Sequence, residues 1–284
     1  MKRQRGYGLA ATISRWEPDR RLSFARWKAW FVSSRTWTPR AVASESASLR
    51  LNIWRAVEAQ HVVSTMALVD TLDEQHVLER LLEEGKPLIP EGASHLHYLL
   101  FTPFRYSPPP GGSRFRGPND PGVFYGADEV RTACAELGYW RWRHLLDVPA
   151  LKSMPAKPQT VFRVSLAVAG VDLRNPPFIR DREIWTRSAD YAGCQRFGVV
   201  ARDAGIGAIR YESVRDPLRS GCCAVLSWRA FARPSPIEQQ TWLLMVSRAR
   251  VVWQRTGALH VDEHEFLATG WNGPAFALSA APII

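Results

Sequence analysis

The residues best suited to chemistry lie close together in the chain, between positions 105 and 136. Equal spacings of eleven residues separate Arg114 from Tyr125 and Tyr125 from Glu136. A loop, a short strand and a helix would bring these three side chains around one cleft. The whole polar set consists of arginines, tyrosines and one glutamate, namely Arg105, Tyr106, Arg114, Arg116, Tyr125 and Glu136.

This combination of side chains suits a nucleotide. A planar guanidinium group matches phosphate oxygens better than a lysine ammonium does. A phenol ring packs against a base, and a carboxylate accepts hydrogen bonds from ribose hydroxyls. A solvated basic loop, with the glutamate in an ion pair on a helix, explains the same residues. From residue types alone, both interpretations stay open.

The local pattern predicts the elements that position these residues. Proline and glycine at 108–112 and 117–122 predict a loop around the basic segment 113–116. A short strand is expected over residues 123–125. A helix then follows, with Asp128 as its N-cap, and runs through Glu136 toward His144.

The rest of the chain predicts an α+β fold. Apolar residues recur at near-helical intervals over 53–69, and a second helix is expected over 71–85, where Thr71 and Glu74 form a capping box. β-Branched and aromatic residues predict strands at 160–168, 207–213, 222–231 and 242–253. The sheet is expected to be mainly antiparallel, with a mainly helical amino-terminal third.

Composition narrows the class of protein. The 284 residues carry a formal charge of +10, which favours an anionic partner without identifying it. The sequence has no uninterrupted apolar run suited to a signal peptide or membrane span, so we expect a cytoplasmic protein that does not contact membranes. The four cysteines have no zinc-site spacing and predict buried free thiols, and no metal site is expected.

The stretch from Thr102 to Arg143 resembles the core of the RES domain, a family named for an arginine, a glutamate and a serine. Its typical features are an aromatic residue next to an arginine, a Gly-x-Arg loop, a Pro-Gly turn into a strand ending in tyrosine, and a helix carrying glutamate. The matching segments here are Phe104-Arg105-Tyr106, Gly112-Ser113-Arg114, Pro121 to Tyr125, and Glu136. The resemblance extends more loosely from about Trp54 to about Arg250.

The resemblance implies an ADP-ribosyltransferase-like fold and a toxin of a type II toxin–antitoxin system that breaks the nicotinamide–ribose bond of NAD⁺. NAD⁺ is then a substrate, and no cofactor is required. Water as acceptor gives a glycohydrolase, phosphate gives a phosphorylase, and a protein side chain gives an ADP-ribosyltransferase. The implied partner is an Xre/ParS-type antitoxin that blocks the active site, with nucleic acid bound only through that antitoxin.

The resemblance also implies a role for each residue. The expected catalytic residues are Arg114, Tyr125, Glu136 and Ser213. Arg105 and Arg114 together hold the pyrophosphate, and Tyr125 packs beside the nicotinamide or its ribose. Glu136 binds a ribose hydroxyl and stabilises the developing positive charge, and Ser213 orients the ribose or the acceptor. Substrate binding is expected from Arg105, Tyr106 and Arg116. Two alternatives stay open, because Arg116 competes with Arg114 and Ser188 competes with Ser213. Tyr191 and Gln195 follow Ser188 in a segment that lines the cleft or packs in the core.

Three regions are expected: a basic extension over 1–45, a helical region over 46–95, and the catalytic domain over 96–284. A nucleic-acid-binding protein is the alternative from a different class. Tryptophans among arginines would then stack on bases. These tryptophans are Trp27, Trp30, Trp37, Trp140 and Trp142.

Overall fold

The structure is a computed structural model that describes residues 37–59, 68–108, 110–257 and 262–271. Its helices are α1 (Pro39–Ser44), α2 (Leu72–Glu84), α3 (Tyr98–Arg105), α4 (Val130–Asp147), α5 (Arg182–Trp185) and α6 (Ala192–Asp203). Its strands are β1 (Ala47–Glu58), β2 (Phe124–Ala127), β3 (Ser153–Asp172), β4 (Ala208–Glu212), β5 (Gly221–Val225), β6 (Glu238–Ser247), β7 (Arg250–Arg255) and β8 (Glu263–Leu267).

The long strand β3 organises the sheet. One of its edges pairs with β1 over residues 159–170. The other edge pairs first with β6 and then, in parallel, with β4. The strand order is β1-β2-β5-β4-β3-β6-β7-β8, and β1 also pairs with β3. Five strands therefore form a closed ring, which a single bridge between Trp54 and Ala127 completes.

The expected fold class, α+β with a mainly antiparallel sheet, is confirmed. All strand pairings are antiparallel except the one between β3 and β4. The predicted strands differ in detail: β3 is longer than 160–168, and β5 ends at Val225, before a 3₁₀ turn at Trp228–Ala230. The predicted strand 242–253 is a hairpin of β6 and β7.

The predicted helix over 53–69 is wrong at its start, because residues up to Glu58 belong to β1. Ile53 and Val57 pack into one core cluster, while Trp54 and Ala56 pack against another. From Ile53 onward both faces of this strand are at least half-buried, so apolar residues stand next to one another and no longer alternate with polar ones as in a half-exposed strand. Residues 60–67 lie outside the described residues.

The predicted helix over 71–85 is confirmed as α2. The Thr71 hydroxyl accepts a hydrogen bond from the backbone N–H of Glu74 at 3.2 Å, and the Glu74 carboxylate accepts one from the backbone N–H of Thr71 at 3.1 Å. This capping box satisfies the free donors at the helix start by contacts within four residues. Local sequence was therefore sufficient to predict it.

Of the predicted basic extension, residues 1–36 lie outside the described residues. Its last part forms α1, where Val42 is buried. The proposed region boundaries at 45 and 95 stay predictions. No helix in the described part of the chain is both long and apolar enough to cross a membrane.

Gly122 allows close packing between α3 and the chain that enters β2. A methyl group at this position would overlap the Cα of Phe104 and the carbonyl oxygen of Pro103. Both atoms belong to the backbone, which cannot move without shifting α3. The absence of a side chain at Gly122 therefore fixes the distance between α3 and β2.

We expect Gly122→Ala to lower the free energy of unfolding by about 3 kcal/mol, because overpacked sites cannot relax fully. Urea unfolding of the purified variant measures the change. Gly270→Ala is the matched control, because a methyl group there meets nothing within 4 Å. Equal stability of the two variants would contradict the packing argument.

Candidate active site

The carboxylate of Glu136 is fixed by Ser213. The Ser213 Oγ donates a hydrogen bond to Glu136 Oε1 at 2.7 Å and accepts hydrogen bonds from the backbone N–H groups of Arg215 at 3.2 Å and Asp216 at 3.1 Å. A serine hydroxyl has one donor and two acceptor positions, so all three are occupied. Ser213 is fully buried. In this arrangement its hydroxyl orients Glu136.

The turn that carries Ser213 is tied to the helix that carries Glu136. Asp216 is buried and accepts a hydrogen bond from the Thr132 hydroxyl at 2.7 Å. Its other carboxylate oxygen lies 3.4 Å from Arg131 Nε. Because both contacts come from the first turn of α4, the turn after β4 and the helix form one unit.

A thiol from β5 completes the surroundings of Glu136. Cys222 Sγ lies 3.7 Å from Glu136 Oε1 and is buried. Burial, and then the nearby Glu136 carboxylate, raise the pKa of Cys222 well above its usual range. The thiol therefore stays protonated and donates to the carboxylate. Cys134, Cys194, Cys222 and Cys223 are all buried free thiols, as predicted.

Arg114 lies in the same region as Glu136. Its side chain is almost fully buried, and Nη1 donates to the carbonyl oxygens of Trp185 and Arg187, both at 2.9 Å. Its guanidinium carbon lies 4.8 Å from the ring centroid of Tyr191. Burial by itself lowers the pKa of Arg114, but its polar surroundings, Glu136 among them, raise it overall. The guanidinium also forms a hydrogen bond with the Cys194 thiol. In the described part of the chain, no oxygen accepts a hydrogen bond from Nε or Nη2.

Tyr125 holds the loop that carries Arg114. Its hydroxyl lies 2.7 Å from Ser113 Oγ and accepts a hydrogen bond from the backbone N–H of Phe115 at 3.0 Å. Burial raises the pKa of Tyr125 to about 12, so the phenol stays neutral. In its pair with Ser113, either hydroxyl can be the donor. The hydroxyl is thus committed to the loop, and only the ring remains for contact with a substrate.

The structure separates the two candidate serines. Ser213, and not Ser188, contacts Glu136. The backbone oxygen of Ser188 accepts a hydrogen bond from Arg215 Nη2 at 2.6 Å, while its buried hydroxyl has no partner among the described residues. Arg215 Nη2 also donates to the Tyr191 hydroxyl at 3.0 Å. The residue before Ser188, Arg187, accepts a hydrogen bond from Arg114 through its backbone oxygen, so the segment around Ser188 packs beside Arg114.

Three predicted binding residues lie outside this cluster. Arg105 forms an ion pair with Glu83 at 2.7 Å, and its Nε donates to the carbonyl oxygen of Pro87. Arg116 donates to the carbonyl oxygens of Tyr106 at 2.7 Å and Asp120 at 3.1 Å. Arg116 therefore braces the loop, and its guanidinium is already engaged. The Tyr106 side chain is exposed.

The predicted N-cap of α4 is wrong. Glu129 occupies that position and makes no side-chain cap hydrogen bond. Asp128 instead accepts a hydrogen bond from Arg210 at 2.5 Å and one from Arg174 at 3.4 Å. Two arginines from distant elements compete with the local cap, and these long-range partners cannot be read from the sequence near Asp128.

Arg55 in β1 lies outside the residues that the sequence indicates as a site. Its Nη1 donates to the carbonyl oxygen of Tyr125 at 2.8 Å, and its guanidinium carbon lies 4.8 Å from the ring centroid of Phe124. Burial lowers the pKa of Arg55 to about 10. Its Nε has no hydrogen-bond partner in the described part of the chain, and no described carboxylate forms an ion pair with it. An unpaired charge is costly where water is partly excluded, so this half-buried guanidinium is suited to an anion. The helix predicted from residue 53 onward gives it no such place.

In the described part of the chain, the tryptophans that were candidates for base stacking lie wholly or partly in the core. Trp142 is buried in the core, and Trp37 and Trp140 are partly buried against it. Trp27 and Trp30 lie outside the described residues.

A groove of about 690 Å³ runs along α2 and shares no residue with the cluster around Glu136. The described residues contain no group of three His, Cys, Asp or Glu side chains placed to hold a metal ion.

Comparison with known proteins identifies the family. The family model of the RES domain matches residues 89–247, which is more than half of the chain. The chain therefore belongs to the RES-domain family, and the resemblance found in the sequence is confirmed. The match contains Arg114, Tyr125, Glu136 and Ser213, whereas Arg55 precedes it.

The comparisons with curated proteins and with solved structures do not identify a function. No curated protein matches the chain. Among solved structures, a chain of the M. tuberculosis MbcT–MbcA toxin–antitoxin complex is similar, with 13% sequence identity and a TM-score of 0.41. The match covers 72% of this chain and 87% of that chain. This score is too low for the likeness to establish a shared fold.

We expect Tyr125→Phe to lower the free energy of unfolding by about 1–3 kcal/mol, because it leaves the buried Phe115 N–H without a partner. Urea unfolding measures this loss. Tyr211→Phe is the matched control: Tyr211 packs edge-on against Phe115 at 5.0 Å, and its hydroxyl makes no hydrogen bond to a described residue. A loss in Tyr211→Phe as large as in Tyr125→Phe would mean that the hydroxyl contacts of Tyr125 are not what matters.

Proposed function

We propose that this protein is an enzyme that cleaves the nicotinamide–ribose bond of NAD⁺ and acts as the toxin of a toxin–antitoxin system. The observation that carries the proposal is the Ser213-fixed carboxylate of Glu136, which lies in the same buried region as the Arg114 guanidinium. Membership of the RES-domain family supports the assignment.

The chemistry requires stabilisation of positive charge. Breaking the bond between ribose C1′ and the nicotinamide nitrogen leaves an oxocarbenium-like centre, as in glycoside hydrolysis. Nicotinamide leaves as a neutral molecule and takes the bonding electrons, so no acid is needed to protonate it. A carboxylate held beside the ribose lowers the energy of the cationic transition state. Glu136 would fill this role.

The remaining residues bind and orient. Arg114 would hold the pyrophosphate through the donors that the protein does not use. Arg55 would add a second cation, because a bound anion offsets the cost of burying its charge. The ring of Tyr125 would pack beside the nicotinamide or its ribose. Arg105 would first have to leave Glu83, so Arg114 and Arg55 are better placed for phosphate.

The biological setting follows from the same proposal. Destroying NAD⁺ in the cytoplasm arrests a cell, so a protein partner must block the site until release. An Xre-type antitoxin would be that partner and would supply any contact with nucleic acid. NAD⁺ would be consumed as a substrate, with no separate cofactor.

The test is incubation of the purified protein with NAD⁺, with and without inorganic phosphate, while nicotinamide and the ribosyl product are followed. We expect nicotinamide release in at least one condition. ADP-ribose as the product indicates a glycohydrolase, and ADP-ribose 1″-phosphate indicates a phosphorylase. ADP-ribose attached to a protein indicates an ADP-ribosyltransferase. Intact NAD⁺ throughout, with antitoxin absent, would refute the proposal.

Variants test the assigned roles. We expect Glu136→Gln to lower kcat by about 100- to 1,000-fold, the usual effect of removing one transition-state stabiliser. Glu129→Gln makes the same chemical change at an exposed position just before α4 and should keep wild-type activity.

Arg114→Lys should lower the rate of NAD⁺ cleavage more than Arg116→Lys does, because only Arg114 has unused donors near Glu136. The reverse order would assign the phosphate contact to Arg116.

A further inference from the structure

We infer that Gln195 is a positioning residue that holds the Arg114 loop in the geometry required for substrate binding. The effect of Gln195 on the position of the loop is independent of the proposed function. Its effect on substrate binding rests on the proposed function. The loop, defined here as residues 111–116, carries the only predicted catalytic residue that is not on a helix or a strand or directly after one.

The side-chain amide of Gln195 meets several loop carbonyls at one point. Its Nε2 lies 3.0 Å from the oxygen of Gly111, 3.1 Å from that of Ser113 and 3.4 Å from that of Arg116. The two amide protons suffice for the two shorter contacts, and the third is weaker. Within the loop, the backbone N–H of Ser113 donates to the Arg116 oxygen at 2.7 Å, and the backbone N–H of Arg116 donates to the Ser113 oxygen at 3.2 Å. Gln195 adds a side-chain donor to these two oxygens and ties both of them to Gly111.

Gln195 belongs to a continuous face of α6 that follows the loop. Tyr191, Gln195, Gly198 and Arg202 are spaced by four, three and four residues, which places them on one side of a helix. The ring of Tyr191 contacts Arg114, and Arg202 lies within 3.4 Å of the oxygens of Phe115 and Pro121. A Cβ at Gly198 would lie 2.5 Å from the Phe115 oxygen, so glycine allows the close approach.

The opposite side of the loop is held by β2. Tyr125 binds Ser113 and Phe115 through its hydroxyl, so the loop is fixed between β2 and α6. Within the loop, Gly112 has a φ of +69°, which a residue with a side chain adopts only at a cost. A Cβ at Gly112 would also overlap the Arg116 oxygen. The loop is therefore shaped before any substrate binds.

Hydrogen-bond donation, rather than packing, distinguishes Gln195. A methionine fills a similar volume without donating. A glutamate has nearly the same shape, but its ionised carboxylate would face three carbonyl oxygens. If the residue only packs, Gln195→Met should resemble the wild type. If it positions the loop by donating, both variants should release it.

The first measurement is the hydrogen exchange of the backbone amides of Ser113, Phe115 and Arg116. We expect exchange at least about tenfold faster in Gln195→Met and Gln195→Glu, the change that corresponds to about 1.4 kcal/mol of lost protection. Val199→Ala, an exposed change on the same helix, is the matched control. Unchanged exchange in both Gln195 variants would overturn the inference, whether or not the protein cleaves NAD⁺.

The second measurement is steady-state kinetics with NAD⁺. We expect KM to rise by about tenfold while kcat falls less, because the loop contributes binding to both the ground state and the transition state. A variant that merely misfolds in part would lose kcat at unchanged KM. Faster exchange with unchanged KM would overturn the link between loop position and substrate binding. A wild type that leaves NAD⁺ intact would refute the proposed function, while the exchange result would still decide the structural role of Gln195.

Discussion

The hydrogen bond from Ser213 to Glu136 is the contact on which the candidate site depends. It joins residues 77 positions apart and exists only because the turn after β4 is pressed against α4. That turn is held by Asp216 on Thr132, and β4 is held in turn by β5 and β3. Any change that shifts α4 relative to the sheet therefore moves the carboxylate. The chemistry of the site is a property of the whole sheet rather than of one motif.

Two buried arginines contact the rings of tyrosines. Arg114 and Arg215 both lie against tyrosine rings, at 4.8 Å from Tyr191 and 3.6 Å from Tyr139. Ring faces and backbone carbonyls stabilise a guanidinium without neutralising it. A carboxylate in the same place would cancel the charge. Around Arg114 the protein thus holds a positive charge in its interior, where charges interact with less screening by water.

The sequence predicted features that depend on neighbours along the chain. The capping box of α2 and the strand and helix around Tyr125 and Glu136 were found because a few adjacent residues determine them. β1 was missed because its partner β3 lies more than 100 residues away in the chain, and because both faces are covered from Ile53 onward. Asp128 was misassigned for the same reason, since Arg174 and Arg210 are distant in sequence.

Within the candidate site, residue types were easier to predict than residue contacts. Family resemblance selected Arg114, Tyr125, Glu136 and Ser213, and Ser213 does contact Glu136. The resemblance did not indicate that Arg105 is paired with Glu83, or that the Tyr125 hydroxyl is used to hold a loop. Those contacts depend on which partner is nearer in three dimensions. Arg55 had no signal at all until β1 was seen as a strand.

The ring of five strands closes unevenly. β1 shares twelve paired positions with β3 but only one with β2. Backbone hydrogen bonds therefore hold β1 to β2 much less than to β3, and the packing of Ile53 and Phe124 in one core cluster adds to them. Arg55 lies beside this seam, and its hydrogen bond to the Tyr125 oxygen and its contact with the Phe124 ring both cross it. A displacement of Arg55 would therefore remove contacts at this one seam and leave the pairing of β1 with β3 in place.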